Sequence, residues 1–226
     1  MPDPRSALTP VAIGPVKLAA GLTCEERPLA DLVLISAWPE TEKPVFDAVG
    51  KTLETAMPDD CRTAAATDGL TVFRVAPRRL MIVSEATALL DPLRDAVPET
   101  DGAVSQQGHS RVRLRLSGPG AAALLARGAP VDLDEVVFPV GAFAQTCIHH
   151  MWVQVHRTAA TPETFDIYVL RSFALSFWQW LTEAAHIATQ TSRGAHSLAW
   201  QTNEHTENGE VDHVCKKPGR NHRNRP

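Results

Sequence analysis

The sequence predicts an α+β protein of two lobes, each of β-α-β-β-α type with helices laid on a mostly antiparallel sheet. Three observations predict it. Apolar runs of strand length follow one another too closely for crossover helices, which favours hairpins over parallel pairing. The same order of elements occurs in both halves without any residue-level repeat, and one extra strand is expected in the second half. A chain of 226 residues with 44% hydrophobic and 21% charged residues can bury a normal core.

Residues 1–28 hold five prolines and little periodicity and read as an irregular leader. The N-terminal lobe is expected over 29–102. LADLVLISAW (29–38) is its first strand. PVFDAVGKTLETAM then places Val45, Val49, Leu53 and Met57 four apart, the stripe of a helix over about 44–56. LTVFRVAPRRLMIVSE (70–85) puts two apolar runs around APRR, as a hairpin does. ATALLDPLRDAV forms the second helix, started or kinked by Pro92.

The C-terminal lobe is expected over 103–186. It reads RVRLRLSG as strand, PGAAALLARG as helix, AQTCIHHMWVQVHR and TFDIYVLRS as strands, and SFALSFWQWLTEAA as helix. In that last helix Phe173, Phe177, Trp180, Leu181 and Ala184 form the expected core face, leaving Trp178 exposed for a protein interface. From 187 to 226 the chain is polar and nearly aperiodic, and a mobile tail is expected.

Gly118, Gly120 and Ala123 match the spacing of a dinucleotide-binding turn, where glycines let a pyrophosphate approach a helix N-terminus. The strand before such a turn should be almost continuously apolar, being buried in a parallel sheet. Here Arg111, Arg113 and Arg115 alternate with Val112, Leu114 and Leu116, which predicts one wet face and one dry face. Asp132, Asp134 and Glu135 also come too early to hold a ribose. The turn is therefore expected to be a structural corner, with Pro119 near the first helical position.

Cys147, His149, His150 and His156 are possible metal ligands, but on one strand Cys147 and His149 would face away from His150 and His156. Cys24, Cys61, Cys147 and Cys215 form no C-x-x-C pair and read as reduced thiols. In the tail, His213, Cys215 and His222 are too loosely spaced for a closed site. The basic tip of Lys216, Lys217, Arg220, Arg223 and Arg225 is offset by Glu204, Glu207, Glu210 and Asp212. A net charge of -4 gives no general attraction for nucleic acid or anionic lipid, and neither partner is expected. The N-terminus lacks the pattern of a secretory signal and no run approaches membrane-spanning length, so a soluble cytoplasmic protein is expected. Nucleophile, zinc-protease and phosphate-loop motifs are absent, and no catalytic, cofactor-binding or metal residue is assigned.

From about residue 25 to 186 the chain resembles the gamma subunit family of heterotetrameric sarcosine oxidase. The resemblance rests on ERPLADL, on LRLSGPGAAALLARGAPVDLDEVVFPVGAFAQT, and on FDIYVLRSFALSFWQWLTEAA, in that order and spacing. It implies a fold similar to the folate-binding domains of the glycine-cleavage aminomethyltransferase. It implies a non-catalytic structural subunit in a bacterial complex that demethylates sarcosine to glycine, giving hydrogen peroxide and methylenetetrahydrofolate. Partners would be alpha, beta and delta chains; FAD, FMN, NAD, tetrahydrofolate and zinc would lie in them, with none in this chain. The alternative is a stand-alone folate-binding or one-carbon transfer protein, in which Asp132, Asp134 or Asp166 would hold the pterin. A third reading is an adaptor acting through the basic tip.

Overall fold

The computed structural model describes residues 6–9, 14–18, 21–67, 69–85 and 88–201, with only the backbone at 189 and 191–201. The chain divides into two units, 1–189 and 190–226; both sheets lie in the first, and in the second the backbone is helical to Gln201. Residues 202–226, with Cys215 and the basic tip, lie outside the described residues.

The first half runs β3 (Asp31–Ala37), α1 (Glu42–Leu53), β4 (Ala64–Thr67), β5 (Leu70–Ala76), β6 (Arg79–Ser84) and α2 (Leu90–Ala96). The second runs β8 (Arg111–Ser117), α3 (Ala121–Ala126), β9 (Phe143–Ile148), β10 (Met151–Ala160), β11 (Glu163–Leu170) and α4 (Ala174–Gln201). Each half is thus β-α-β-β-β-α, and in both sheets the first strand pairs the fourth, then the third, then the second. All pairings are antiparallel, as the close spacing of the strands predicts.

One further exchange ties the halves together. Strand β2 (Thr23–Arg27) precedes the first half but pairs β8 of the second. Strand β7 (Gly102–Gln106) precedes the second half but pairs β3 of the first. The leader is therefore not wholly irregular: β1 (Val16–Lys17) and β2 extend the second sheet. TCEER has a single apolar residue and shows no alternation, so its pairing is visible only in the fold. The predicted boundary at 102/103 likewise cuts into β7, whose glycine start and Gln106 end weaken the strand signal.

Helices cover the outer face of each sheet. Val45, Val49 and Leu93 of α1 and α2 pack on Val33, Ile35, Val72, Leu80 and Ile82. Leu124, Leu125, Phe177, Trp178 and Leu181 of α3 and α4 pack on Val112, Leu114, Val153, Val155 and Ile167. Each large side chain so buried contributes roughly 1.5–3 kcal/mol. Between the sheets Leu32, Phe73, Met81 and Val83 meet Phe143 and Tyr168, making a helix-sheet-sheet-helix stack.

The face of α4 differs from the expected stripe. Ala174, Phe177, Trp178, Leu181, Ala184 and Ala185 are buried, while Phe173 is exposed and Trp180 only half-buried. The buried set follows the helical period more closely, and Phe173 falls in a 3-10 turn (Arg171–Phe173) before the helix begins. Helicity also continues past 187, where a mobile tail is predicted, to Gln201.

Candidate functional site

The two inner sheet faces have opposite chemistry. That of the first sheet is mostly apolar: Leu32, Leu34, Phe73, Val75, Met81 and Val83 from β3, β5 and β6, with Thr71, Ser36 and Arg79 toward its margins. That of the second is polar and follows its register in rows. Arg27, Arg113, Tyr168, Gln154 and Gln145 lie side by side across β2, β8, β11, β10 and β9. The next row is Glu25, Arg115, Asp166, His156 and Phe143.

The alternation in RVRLRL is therefore real, but its arginine face is not wet. The second sheet turns it inward, and Arg113 is buried. This is possible because Asp166 stands opposite in β11. Its carboxylate accepts from Arg113 Nε at 3.0 Å and from Arg115 Nε and Nη2 at 2.7 and 2.9 Å. Glu85 accepts from Arg113 Nη1 at 2.7 Å and pairs with Arg27 at 3.5 Å, while Arg27 reaches Glu25 at 3.2 Å. Burial pushes the Asp166 carboxyl upward, but the arginine hydrogen bonds and charges outweigh it and hold it below the ordinary range. Arg113 sits 5.9 Å from the Tyr168 ring centre, which adds a cation–π contact.

His156 lies buried within this layer, edge-on to Phe73 at 5.3 Å. Burial lowers its pKa to about 4, so at neutral pH it is an uncharged core imidazole. Burial likewise raises Tyr168, and it pushes the Cys24 thiol up to about 12, with Glu25 adding to the shift. Neither is a ready acid or nucleophile at neutral pH.

The glycine turn is a corner. Gly118 and Gly120 have positive φ, and a Cβ on Gly118 would come within 2.6 Å of the Gly21 carbonyl. The first turn of the six-residue α3 is already met by a carboxylate, Ala122 N–H donating to Glu163 Oε2 at 2.9 Å. Pro119 precedes the Gly120 cap, so it lies two positions before the first helical residue.

The histidines predicted on one continuous strand do not share one. His149 and His150 form the two-residue turn between β9 and β10, both at positive φ, 46° and 68°. The turn is fastened by His149 N–H donating to Gly128 O at 3.1 Å and by stacking of its ring on Trp180 at 5.9 Å. His156 lies in the middle of β10, away from that turn, and among the described residues no three His, Cys, Asp or Glu side chains are grouped to hold a metal.

The three carboxylates considered for a pterin do not converge. Asp166 is engaged by two arginines between the sheets, whereas Asp132 and Asp134 are exposed and accept backbone N–H groups of Asp134 and Val136 at 3.0 and 2.9 Å. Their loop is firmly held. Buried Arg157 donates to Leu133 O at 2.8 Å and to Glu163 at 3.2 Å, and Phe138 stacks on Phe165. That loop presents Val136, 89% exposed, with Val137 and Val140 to solvent. The anchored loop with its exposed valines and the buried arginine layer are the features that motif searching missed; the alternation of RVRLRL and the run VVFPV carry their signals.

Comparison with known proteins gives one coherent result. Residues 38–187 match the model of the sarcosine oxidase, gamma subunit family. The chain is 30% identical over 122 residues to sarcosine oxidase subunit gamma of Corynebacterium sp. (strain U-96), a match covering 54% of this chain and 58% of that protein. It thus spans a little over half the length of that curated relative. Among solved structures, a chain of the heterotetrameric sarcosine oxidase from Corynebacterium sp. U-96, in complex with pyrrole 2-carboxylate, superposes with a TM-score of 0.73 at 24% identity. That alignment covers 82% of this chain and 96% of the other, and shows a shared fold.

Proposed function

The chain belongs to the sarcosine oxidase gamma subunit family, and on that premise we propose that it is the non-catalytic structural subunit of a heterotetrameric sarcosine oxidase. The observation that carries this reading is the internal pairing of the polar layer. Asp166, Glu85 and Glu25 neutralise the arginines beside them, and His156 is held neutral by burial, so the most reactive-looking groups serve the fold. Among what the protein offers outward are large apolar groups: Val136, Val137 and Val140 of the anchored loop, and Trp152 at 63% exposure. Such groups suit burial against larger subunits.

In this reading the complex demethylates sarcosine to glycine with release of hydrogen peroxide and transfer of the one-carbon unit to tetrahydrofolate. FAD, FMN, NAD, tetrahydrofolate and zinc reside in the alpha, beta and delta chains, and the assembly is a cytoplasmic bacterial flavoprotein of one-carbon metabolism. The chain's own part is to complete the assembly. The test is purification of the tagged chain from its native cell. Stoichiometric recovery of larger chains, with a flavin spectrum and sarcosine-dependent peroxide, is expected. A colourless chain that elutes alone and binds tetrahydrofolate would overturn the reading.

A further inference from the structure

A cleft of about 260 Å³ opens between the sheets beside the paired arginine layer. Its floor is the apolar inner face of the first sheet, including Leu32, Leu34 and Met81, and its walls carry Arg79, Arg111, Gln145 and Gln154. Arg111 continues the arginine row by one step, but the residue level with it on β11 is Leu170, so no counterpart of Asp166 meets it there. Among the described residues neither Arg79 nor Arg111 makes a side-chain hydrogen bond or ion pair. Burial pulls Arg111 below the ordinary guanidinium value, as expected of a partly desolvated cation. Gln154 is 5% exposed, gives its amide to Gln145 Oε1 at 3.3 Å, and has a buried Oε1 with no partner.

We propose that this cleft binds a small carboxylate, held by Arg111 with help from Arg79, while the unpaired Gln154 Oε1 accepts from an N–H or O–H group of the same acid. A half-buried arginine is matched best by a planar anion that accepts two N–H bonds together. The free acceptor of Gln154 and the apolar floor then favour an organic acid of amino-acid size that also carries an N–H or O–H donor over an inorganic anion. The volume is too small for a folate or a flavin. The carboxylate has two possible sources, a free monocarboxylate or an acidic side chain of a neighbouring subunit, and both place the same group on Arg111.

The probe is acetate, titrated into the full-length chain at constant ionic strength against sodium chloride while side-chain amide resonances of Gln145 and Gln154 are followed. Saturable shifts are expected with acetate and not with chloride. Arg111→Gln should weaken binding about tenfold or more, the effect of removing a charged hydrogen-bond donor, and Arg111→Lys should restore part of it. Arg79, being exposed, should matter less when changed to Gln. Absence of saturation in the unmodified chain, or equal affinity in an Arg111→Gln protein with an unchanged thermal midpoint, overturns the proposal. The same titration on the assembled complex separates the sources. Shifts that persist identify a free acid, whereas resonances already at the bound position and indifferent to acetate identify a partner's carboxylate.

Discussion

The two halves share one strand order and one helix placement, yet their inner faces are unlike. The first offers leucine, methionine, valine and phenylalanine; the second offers arginine, aspartate, glutamine, histidine and tyrosine. An apolar sheet can cover a charged one only if the charges are already satisfied within their own sheet, because unpaired ions taken out of water cost several kcal/mol each. The register achieves this by setting Asp166 opposite Arg115 and one step from Arg113. Fold similarity between halves therefore says little about what each face does.

The most severe way to break the comparison is to separate the halves. A fragment of residues 29–102 keeps β3 to β6 but loses most of β7, and its apolar inner face loses its cover. It should show no cooperative urea transition, whereas the full chain should show one. Next in size is Asp166→Ala, which leaves two arginines without their carboxylate. It should lower unfolding free energy by about 4–5 kcal/mol. Combined replacement by Arg113→Met, Arg115→Leu and Asp166→Leu should recover most of that loss, since packed apolar groups can replace a buried ionic cluster.

Acid sharpens the contrast further. The folded pKa of His156, about 4, lies below its unfolded value near 6.5, so the unfolded chain takes up the proton first. Stability should be full above about pH 6.5 and fall by about 3 kcal/mol toward pH 4. His156→Phe should flatten that part of the pH profile. Below it Asp166, whose folded pKa is lowered, loses its contribution as pH falls through the folded value, which continues the decline.

The smallest effect expected concerns a join between β9, α3 and α4. A Cβ on Gly128 would approach the Trp180 ring to 2.6 Å, so Gly128→Ala should cost about 1–3 kcal/mol by displacing Trp180. Changes in tryptophan fluorescence and the denaturation midpoint check it.

Much of this was legible in the sequence because periodicity reports which faces are apolar. The strand of RVRLRL, the LTVFRV–RLMIVS hairpin and the helices all follow from it. The pattern does not report what covers a polar face, and so the arginines read as solvated. Nor does it reveal strands with no alternation: TCEER and AAAT are strands because a partner edge is waiting for their backbone groups. The β9–β10 turn escaped notice because two histidines occupy left-handed positions where Asn-Gly is usual. At the candidate site, Asp166 is expected from the sequence only as a pterin-holding carboxylate, whereas the structure engages it with two arginines. Its partners, Arg113 and Arg115, lie 53 and 51 residues away and meet it only through strand register.

The most direct test of the central claim, that this chain's polar layer builds structure and performs no chemistry, uses the oxidase complex proposed for it. The complex is reconstituted with the chain carrying Arg113→Met, Arg115→Leu and Asp166→Leu together, and sarcosine-dependent peroxide is measured per bound flavin. Unchanged turnover in an intact complex is the result this account predicts. An intact complex whose turnover per flavin falls about tenfold, equivalent to ~1.4 kcal/mol of lost transition-state stabilisation, would contradict it.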